Sequence, residues 1–540
     1  MPLRPLKDDP FTRKPGLQVV EEKQVLRVSQ DAFEEAVREN MELFALPAEQ
    51  ALEETIKEFE LQKVDLSNIA KRIPGQEHPV LSSLESLKAL VAPRSGVLLG
   101  GAKMSSLVAP LAALRDATLK SSENRNIAAD AVAADYVLSA LQAGLKENNA
   151  AIIEAAVGAL SSIVVNCRKS QDRAGSLGVQ SVAAALRLFK GDQTSQEALR
   201  KTFLCIRSLG VKNEANRQML DGEGVYKEVI GLLPKVEKPL LKDLSKLIRS
   251  LLFDDDVKVL VAKAHNRALE MVDEGAIKHI MSLLWNSSTK TPCAYDNIED
   301  VQLEVMSLLS RLMVKDEFCV EAVQLGALDL AVHVLNLHVF EEDATGDSMK
   351  LERHALSIIK AVAGNDDNKV LIAEGPALQA TVKLMSTVGL VNIAVGEASA
   401  GVVGAIGLRS ESNSQRVLES GGIEALIRLL DVAITVGETK GEAAMKSKMS
   451  LCRTCCQALR NLVGRNVEVK EKALALGAEE KARKAWQMYG DYVGEAAHPC
   501  LRDMGCEVEL RELWTGSVDK VQDSSAVLGD FSRLDTTLRL

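Results

Sequence analysis

A glycine recurs seven times between residues 170 and 480, each time after a short helical segment and ahead of an apolar run spaced three and four apart. The seven are Gly178, Gly224, Gly275, Gly326, Gly375, Gly422 and Gly477, at spacings of 46, 51, 51, 49, 47 and 55 residues. A period of that length belongs to stacked helical repeats of the armadillo or HEAT kind. No unit of this size can bury its apolar face alone, so units must stack, and the stack presents one long concave surface. The repeat therefore predicts an all-α, right-handed armadillo (ARM/HEAT-like) superhelical solenoid with binding as its first functional expectation.

The unit is plainest in LESGGIEALIRLL (418–430), DEGAIKHIMSLL (273–284) and QLGALDLAVHVL (324–335). Each glycine falls where a chain turning between helices needs a positive φ or a contact free of a side chain. A further helix then ends in a recurring apolar frame, CIRSLG (205–210), LIRSLL (247–252), IIKAVA (358–363) and ALRNLV (458–463). Three helices per unit favour armadillo over two-helix HEAT. Composition agrees: the 540 residues are 46% hydrophobic but only 3% aromatic, so Ala, Leu and Val must fill the core, and no alternating run reads as a strand. No apolar stretch approaches the ~20 residues of a membrane span, and MPLRPLKDDPFTRKPG carries no apolar signal core. The expected location is cytoplasm, nucleus or both, with the nine cysteines reduced.

Signatures of catalysis are missing. The sequence holds no G-x-x-x-x-G-K-[ST], H-E-x-x-H or G-x-S-x-G, and its seven histidines are scattered singly. The expectation is a non-enzyme with no catalytic residues, no metal and no cofactor. GVVGAIG (401–407) follows no strand, so close helix packing explains it better than a phosphate cradle. At about 100° per residue, Cys452, Cys455 and Cys456 fall within roughly 50° of the stripe carrying Leu459 and Leu462 and read as core thiols. A zinc or redox site would need His498, Cys500 or Cys506 brought close to them. Asp254, Asp255 and Asp256 could meet a cation with His265. Their better use is to cap the helix that follows, where its dipole favours carboxylates, as Asp366 and Asp367 would in a later repeat.

Function should lie on the third helices, which line the concave face. Aligning them on Asn461 of ALRNL places Ser162, Ser208, Ser250, Arg311, Ala361 and Gly407 at matching positions. Nuclear-import armadillo receptors carry Asn along this ladder and Trp four residues earlier. Here the earlier positions hold Gly158, Leu204, Lys246, Ser307, Ser357, Val403 and Gln457, and Trp285, Trp486 and Trp514 all lie elsewhere, which argues against a receptor for basic signals. What recurs is positive charge. Arg207, Arg249, Lys360 and Arg460 stand one position before the ladder, with Arg200, Lys242, Arg353 and Arg453 seven residues earlier. Seven residues are two turns, so each pair shares a face, turned from the apolar stripe of Leu199, Phe203 and Ile206. Stacked, they would form a basic band along the groove, thinned at Arg311 and interrupted at the Gly407 repeat. The other use of such charges is pairing with acids of the adjoining helix.

Residues 31–60 hold ten acids against Arg38 and Lys57, a local charge of −8 within −10 for the chain. Ser29 is placed to cap a first helix and Pro47 to open a second, giving an acidic hairpin over 29–70, joined near KRIPGQEHP to a solenoid over 80–516. The hairpin could dock on the basic band and compete with an acidic partner, or stand as a module for a partner of its own. Long loops at 285–300, 338–350 and 434–448 occupy one point of the repeat and hence one rim, a place suited to partner selection. Residues 1–28 and 517–540 lack periodicity and read as disordered tails.

RVSQDAFEEAVREN (27–40), VDLSNI (64–69), FDDDVKV with AHNRA (253–268), AGNDDNK (363–369) and CEVELRELWTG (506–516) run in that order along the chain, and in them the sequence resembles the armadillo repeat-containing protein 6 family. The resemblance implies an intracellular armadillo solenoid with an N-terminal module, without established catalytic activity or cofactor, and it brings no binding residues to this chain. The reading is a scaffold or adaptor holding acidic or helical protein segments along its groove. Its candidate contacts are Arg200, Arg207, Lys242, Arg249, Arg311, Arg353, Lys360, Arg453, Arg460 and Asn461. The same residues could serve a nucleic-acid or membrane-surface binder or a nuclear-transport adaptor, although a net charge of −10 and a pI near 5.5 oppose general polyanion binding. No small-molecule substrate is expected.

Overall fold

The computed structural model describes residues 26, 28–66, 69–74, 78–191, 195–259, 263–293, 298–337, 349–435 and 441–508. The tails expected at 1–28 and 517–540 lie outside these residues but for Leu26 and Val28, as do Trp514 and parts of the three long loops. Regular structure among the described residues is helical apart from isolated bridges and one ribbon, Trp285–Asn286 paired antiparallel with Thr291–Pro292. The chain divides into two compact units, one of residues 1–284 with 294–314 and one of 285–293 with 315–540.

The first unit opens with helices Gln30–Leu43 and Ala48–Leu61. Ser29 Oγ accepts the Ala32 N–H at 3.2 Å, satisfying one of the orphan donors of the first helix, and Pro47 immediately precedes the second. The pair closes on a small core of its own, Phe33, Val37, Ala51, Leu66 and Ile69, with the Phe33 and Phe59 rings 5.8 Å apart. Beyond it the third helices Val108–Lys120, Ala150–Val164, Gln196–Gly210, Lys238–Leu251 and Ile298–Leu312 pack each on the next. In the second unit Lys350–Val362, Ile393–Gly407, Glu442–Val463 and Asp491–Asp503 do the same. The stripe carried by Leu199, Phe203 and Ile206 is buried. Glu442–Val463 starts inside the stretch read as loop, because EAAMKSK consists mostly of good helix formers and simply extends the third helix.

The period found in the sequence is real, but the chain turns at slightly different places. Gly224, Gly275, Gly326 and Gly477 have φ of +73°, +87°, +95° and +78°, the left-handed corner expected of them. In the repeat assigned to Gly422 the corner belongs to Gly421, at φ +80°, and Gly422 is the first helical residue. Gly178 lies within the helical span Arg168–Phe189, which turns at Gly175 instead. Gly375 is extended, at φ −92° and ψ −177°, as the ring of Pro376 requires of the residue before it.

A second corner, without glycine, follows three of the third helices, Ala150–Val164, Gln196–Gly210 and Ile393–Gly407. Val165, Val211 and Leu408 have φ near −62° and ψ between 116° and 126°, and Asn166, Lys212 and Arg409 follow with φ of +52°, +55° and +62°. The sequence of angles resembles a type II turn. Capping completes it: Asn213 and Ser410 accept the N–H of Asn216 and Asn413, whose amides reach back to the carbonyls of Leu209 and Ile406 at 3.0 and 3.5 Å.

GVVGAIG is a packing surface. A Cβ on Gly404 would stand 2.8 Å from Ala458 Cα, and one on Gly407 2.3 Å from Leu462 Cδ2, so helix Ile393–Gly407 lies against Glu442–Val463 at a distance only glycine permits. Gly326 is similarly constrained, since its Cβ would meet the Trp285 indole at 2.5 Å, whereas the nearest atom to one on Gly275 is His279 Nε2 at 3.6 Å. Gly275→Ala is expected to lose about 1–2 kcal/mol from its left-handed backbone alone. Gly326→Ala should lose a further ~1–3 kcal/mol by displacing the indole, read as a lower urea midpoint than that of Gly275→Ala.

Candidate functional site on the third helices

The ten candidate contacts all stand on third helices, and four of them take up the other use open to such charges, pairing with acids of an adjacent helix. In the first unit Arg200 Nε meets Asp243 Oδ2 at 2.8 Å, and Arg249 meets Glu304 Oε2 and the Ser307 hydroxyl, each at 3.0 Å. Lys201 and Lys246 join the same pattern through Glu154 at 2.5 Å and Glu304 at 3.9 Å. Lys242 is half-buried, and Arg311 stacks its guanidinium 4.4 Å from the Phe253 ring centroid. In the second unit Arg453 reaches Glu495 at 3.0 Å and lies 4.7 Å over the Tyr492 ring, and Arg460 meets Asp503 at 3.1 Å. Asn461 donates to the Gly404 carbonyl at 3.0 Å, tying one third helix to the one before it. Arg353 is half-buried, and the Lys360 stem lies across Gly401, where a Cβ would be 3.3 Å from Nζ. Each acid involved stands on a neighbouring third helix, about one repeat away in sequence. That regular offset was the available signal for Asp243, Glu304, Glu495 and Asp503.

The Asn461 alignment does not trace one exposed line, since Arg311 on it is exposed and three of its members are buried. Ser162, Ser250 and Gly407 face inward: Ser162 accepts from Thr118 at 2.8 Å and Ser250 donates to the Leu247 carbonyl at 2.7 Å. Arg207, one position before the ladder, is half-buried and differs from its neighbours in having no ion pair among the described residues. Burial and then the nearby Arg249 guanidinium push its pKa below the ordinary arginine value, against the weaker pull of Glu304 and Asp243. Arg207, Lys246 and Arg249 thus gather about Glu304, one carboxylate serving more cations than it can neutralise.

Asp254, Asp255 and Asp256 are already fully engaged. Only Asp254 caps the helix that follows, accepting the N–H groups of Lys263 and Ala264 at 2.9 and 2.8 Å. Asp255 and Asp256 turn to the preceding repeat instead. Asp255 accepts from Arg217 at 2.6 Å, and Asp256 accepts the Glu214 N–H at 2.8 Å and an Arg168 N–H at 3.0 Å. Arg217, fully buried, also donates to Glu214 at 2.9 Å, and Arg267 grips both Glu214 oxygens at 2.7 and 2.8 Å and Asp254 at 3.1 Å. His265 plays no part in these contacts. In the later repeat Asn365 is the cap, accepting the Asn368 N–H at 3.0 Å, while Asp366 pairs with Lys369 at 2.6 Å.

Cys452, Cys455 and Cys456 are completely buried, as the helical stripe required, and Cys500 of the next third helix joins them. Burial pushes the Cys452 and Cys500 thiols up to about 12 and those of Cys455 and Cys456 well above the ordinary value, the neighbouring thiols adding to the effect at Cys455 and Cys456. They are poor nucleophiles and poor ligands in that state. Among the described residues no group of three or more His, Cys, Asp or Glu side chains is arranged to hold a metal ion.

Three-helix repeats that stack through their third helices and turn at a left-handed glycine define an armadillo repeat protein. The ARMC6 family model matches residues 97–523 and that of the Armadillo repeat-containing protein 6 N-terminal domain matches 25–86. The chain belongs to the armadillo repeat-containing protein 6 family. The Homo sapiens Armadillo repeat-containing protein 6 is 30% identical over 505 residues, covering 91% of this chain and 93% of the relative. A Drosophila melanogaster homolog is 26% identical over 366 residues, 67% of this chain and 73% of its own. Among solved structures an engineered protein superposes with a TM-score of 0.50 at 14% identity, over 80% of this chain and 100% of that one, a likeness of fold.

Burial raises the Asp256 pKa, but the Glu214 and Lys258 N–H groups and Arg168 outweigh it and hold the carboxyl below the usual aspartate value. A depressed carboxylate stabilises the fold fully above the unfolded value of about 3.9 and loses that contribution as pH falls through the lower folded value. Asp256→Asn should flatten the fall in stability over that acid window. Arg217→Met, which leaves buried carboxylates uncompensated, should lower unfolding free energy by ~3–5 kcal/mol at neutral pH.

Proposed function

We propose that this protein is a non-enzymatic scaffold or adaptor, working in the cytoplasm, the nucleus or both, whose third-helix face takes up acidic or helical segments of partner proteins. Arg207 carries the reading. A half-buried guanidinium crowded by Arg249, without an ion pair among the described residues, is relieved by an incoming carboxylate. The surrounding pairs refine the expectation. Arg200, Arg249, Arg453 and Arg460 already hold acids of adjacent third helices, so a partner gains from them only by displacing those acids, and the more exposed pairs, those of Arg200, Arg453 and Arg460, contribute little on their own. Discrimination then falls to Arg207 and to the exposed Lys360.

Affinity capture with mass spectrometry, comparing wild type with Arg207→Glu and Lys360→Glu at unchanged helicity and melting temperature, tests this. Loss of a defined set of partners bearing acidic segments is the expected result. Partners unchanged in both variants would remove the third-helix face from consideration. Salt-dependent binding to RNA or anionic vesicles that both variants abolish would replace a protein ligand by a polyanion.

A further inference from the structure

We propose that the N-terminal hairpin is a second, separate docking module, and that its turn end receives a cationic amphipathic helix. The hairpin does not depend on the repeats for its core. Phe33, Val37, Ala51, Leu66 and Ile69 fill it, and Gln30 fastens the segment after the second helix by accepting the Ala70 N–H at 2.8 Å and donating to the Ala70 carbonyl at 3.2 Å. That core leaves the turn between the helices uncovered. Leu43 is 76% exposed and Phe44 66% exposed, consecutive residues at the end of the first helix, with the partly buried Met41 and Leu46 beside them in sequence. Two neighbouring large apolar side chains held out at such exposure, on a structured turn, mark an interaction surface more than a scattered surface leucine does.

Charge decides what fits it. Glu39 and Glu42 on the first helix and Glu49 and Glu53 on the second are all exposed and stand within about two turns of the Leu43 to Pro47 segment in sequence. The two cations of residues 31–60 are used elsewhere, Arg38 with Glu35 at 2.6 Å and Lys57 with Glu54 at 2.9 Å. An apolar pair within an acidic rim matches a helix that presents an apolar stripe flanked by Lys or Arg. A second copy of the chain would bring another −8 against the first, so self-association is opposed.

The test uses the full-length protein and a fluorescein-labelled Lys/Leu peptide of about five helical turns with Leu on one face, against a peptide of identical composition with its Leu residues scattered. Anisotropy should show the one-faced peptide binding at least ~ten-fold more tightly than the scattered one, and Leu43→Ala with Phe44→Ala should weaken it by ~ten-fold or more. Glu39→Gln, Glu42→Gln and Glu49→Gln together should weaken binding and flatten its salt dependence. Hydrogen exchange should gain protection over residues 39–53. These side chains are exposed, and unchanged circular dichroism and melting confirm that the variants fold. Equal binding of the scattered peptide, affinity unmoved by both sets of substitutions, or protection confined to the third helices would overturn the proposal. Arg207→Glu is expected to leave this binding intact, which separates it from the third-helix reading.

Discussion

Arg217 and Arg267 are buried beside Glu214, and what holds them there sets the alignment of three successive repeats. Taking such charges out of water is expensive, and their mutual attraction repays it only where the remaining donors and acceptors are also satisfied. Here the backbone contributes much of that satisfaction. Asp256 accepts the Glu214 N–H, Arg217 donates to the Gly210 carbonyl and Arg267 to the Phe253 carbonyl. The cluster therefore measures position as well as charge. A repeat shifted by one residue would leave a guanidinium or a carboxylate stranded in the interior, a penalty no apolar contact in the stack could impose so selectively.

That arrangement also explains which parts of the sequence could be read directly. Periodicity within one helix was sufficient for the third helices, the buried stripe of Leu199, Phe203 and Ile206 and the buried face of the Cys452 cluster, because each depends on residues three and four apart. Whatever depends on the next repeat was hidden. Asp255 and Asp256 looked like caps for the helix after them and instead serve the one before. Cys500 gave no sequence reason to lie near Cys456, and the acids facing Arg200, Arg249, Arg453 and Arg460 became visible only when third helices were laid side by side. The glycine turns failed locally for similarly physical reasons: Pro376 forbids the expected turn at Gly375, and a doubled glycine at 421 and 422 left the choice between them open.

In each unit, some of the cations that the sequence displays on third helices are already paired with acids of the neighbouring third helix, Arg200 and Arg249 in the first and Arg453 and Arg460 in the second. A band of free positive charge would attract any polyanion at low ionic strength. A row of cations already paired to the next helix attracts little at long range and discriminates at contact, through the few positions where pairing is incomplete. The acidic hairpin reverses that logic, since over residues 31–60 its carboxylates outnumber its cations five to one and its apolar turn is uncovered.

Helix Ile393–Gly407 carries Gly396, Gly401, Gly404 and Gly407. Each glycine within a helix disfavours it by about 1 kcal/mol relative to alanine, so this segment has little helical tendency of its own. Its inward face is buried because Glu442–Val463 and Val388–Val391 stand against the gaps that Gly396, Gly404 and Gly407 leave. Its helical form therefore leans on the glycine-free Glu442–Val463 helix it packs against, so damage to that surface is felt here as lost helix as well as lost contact.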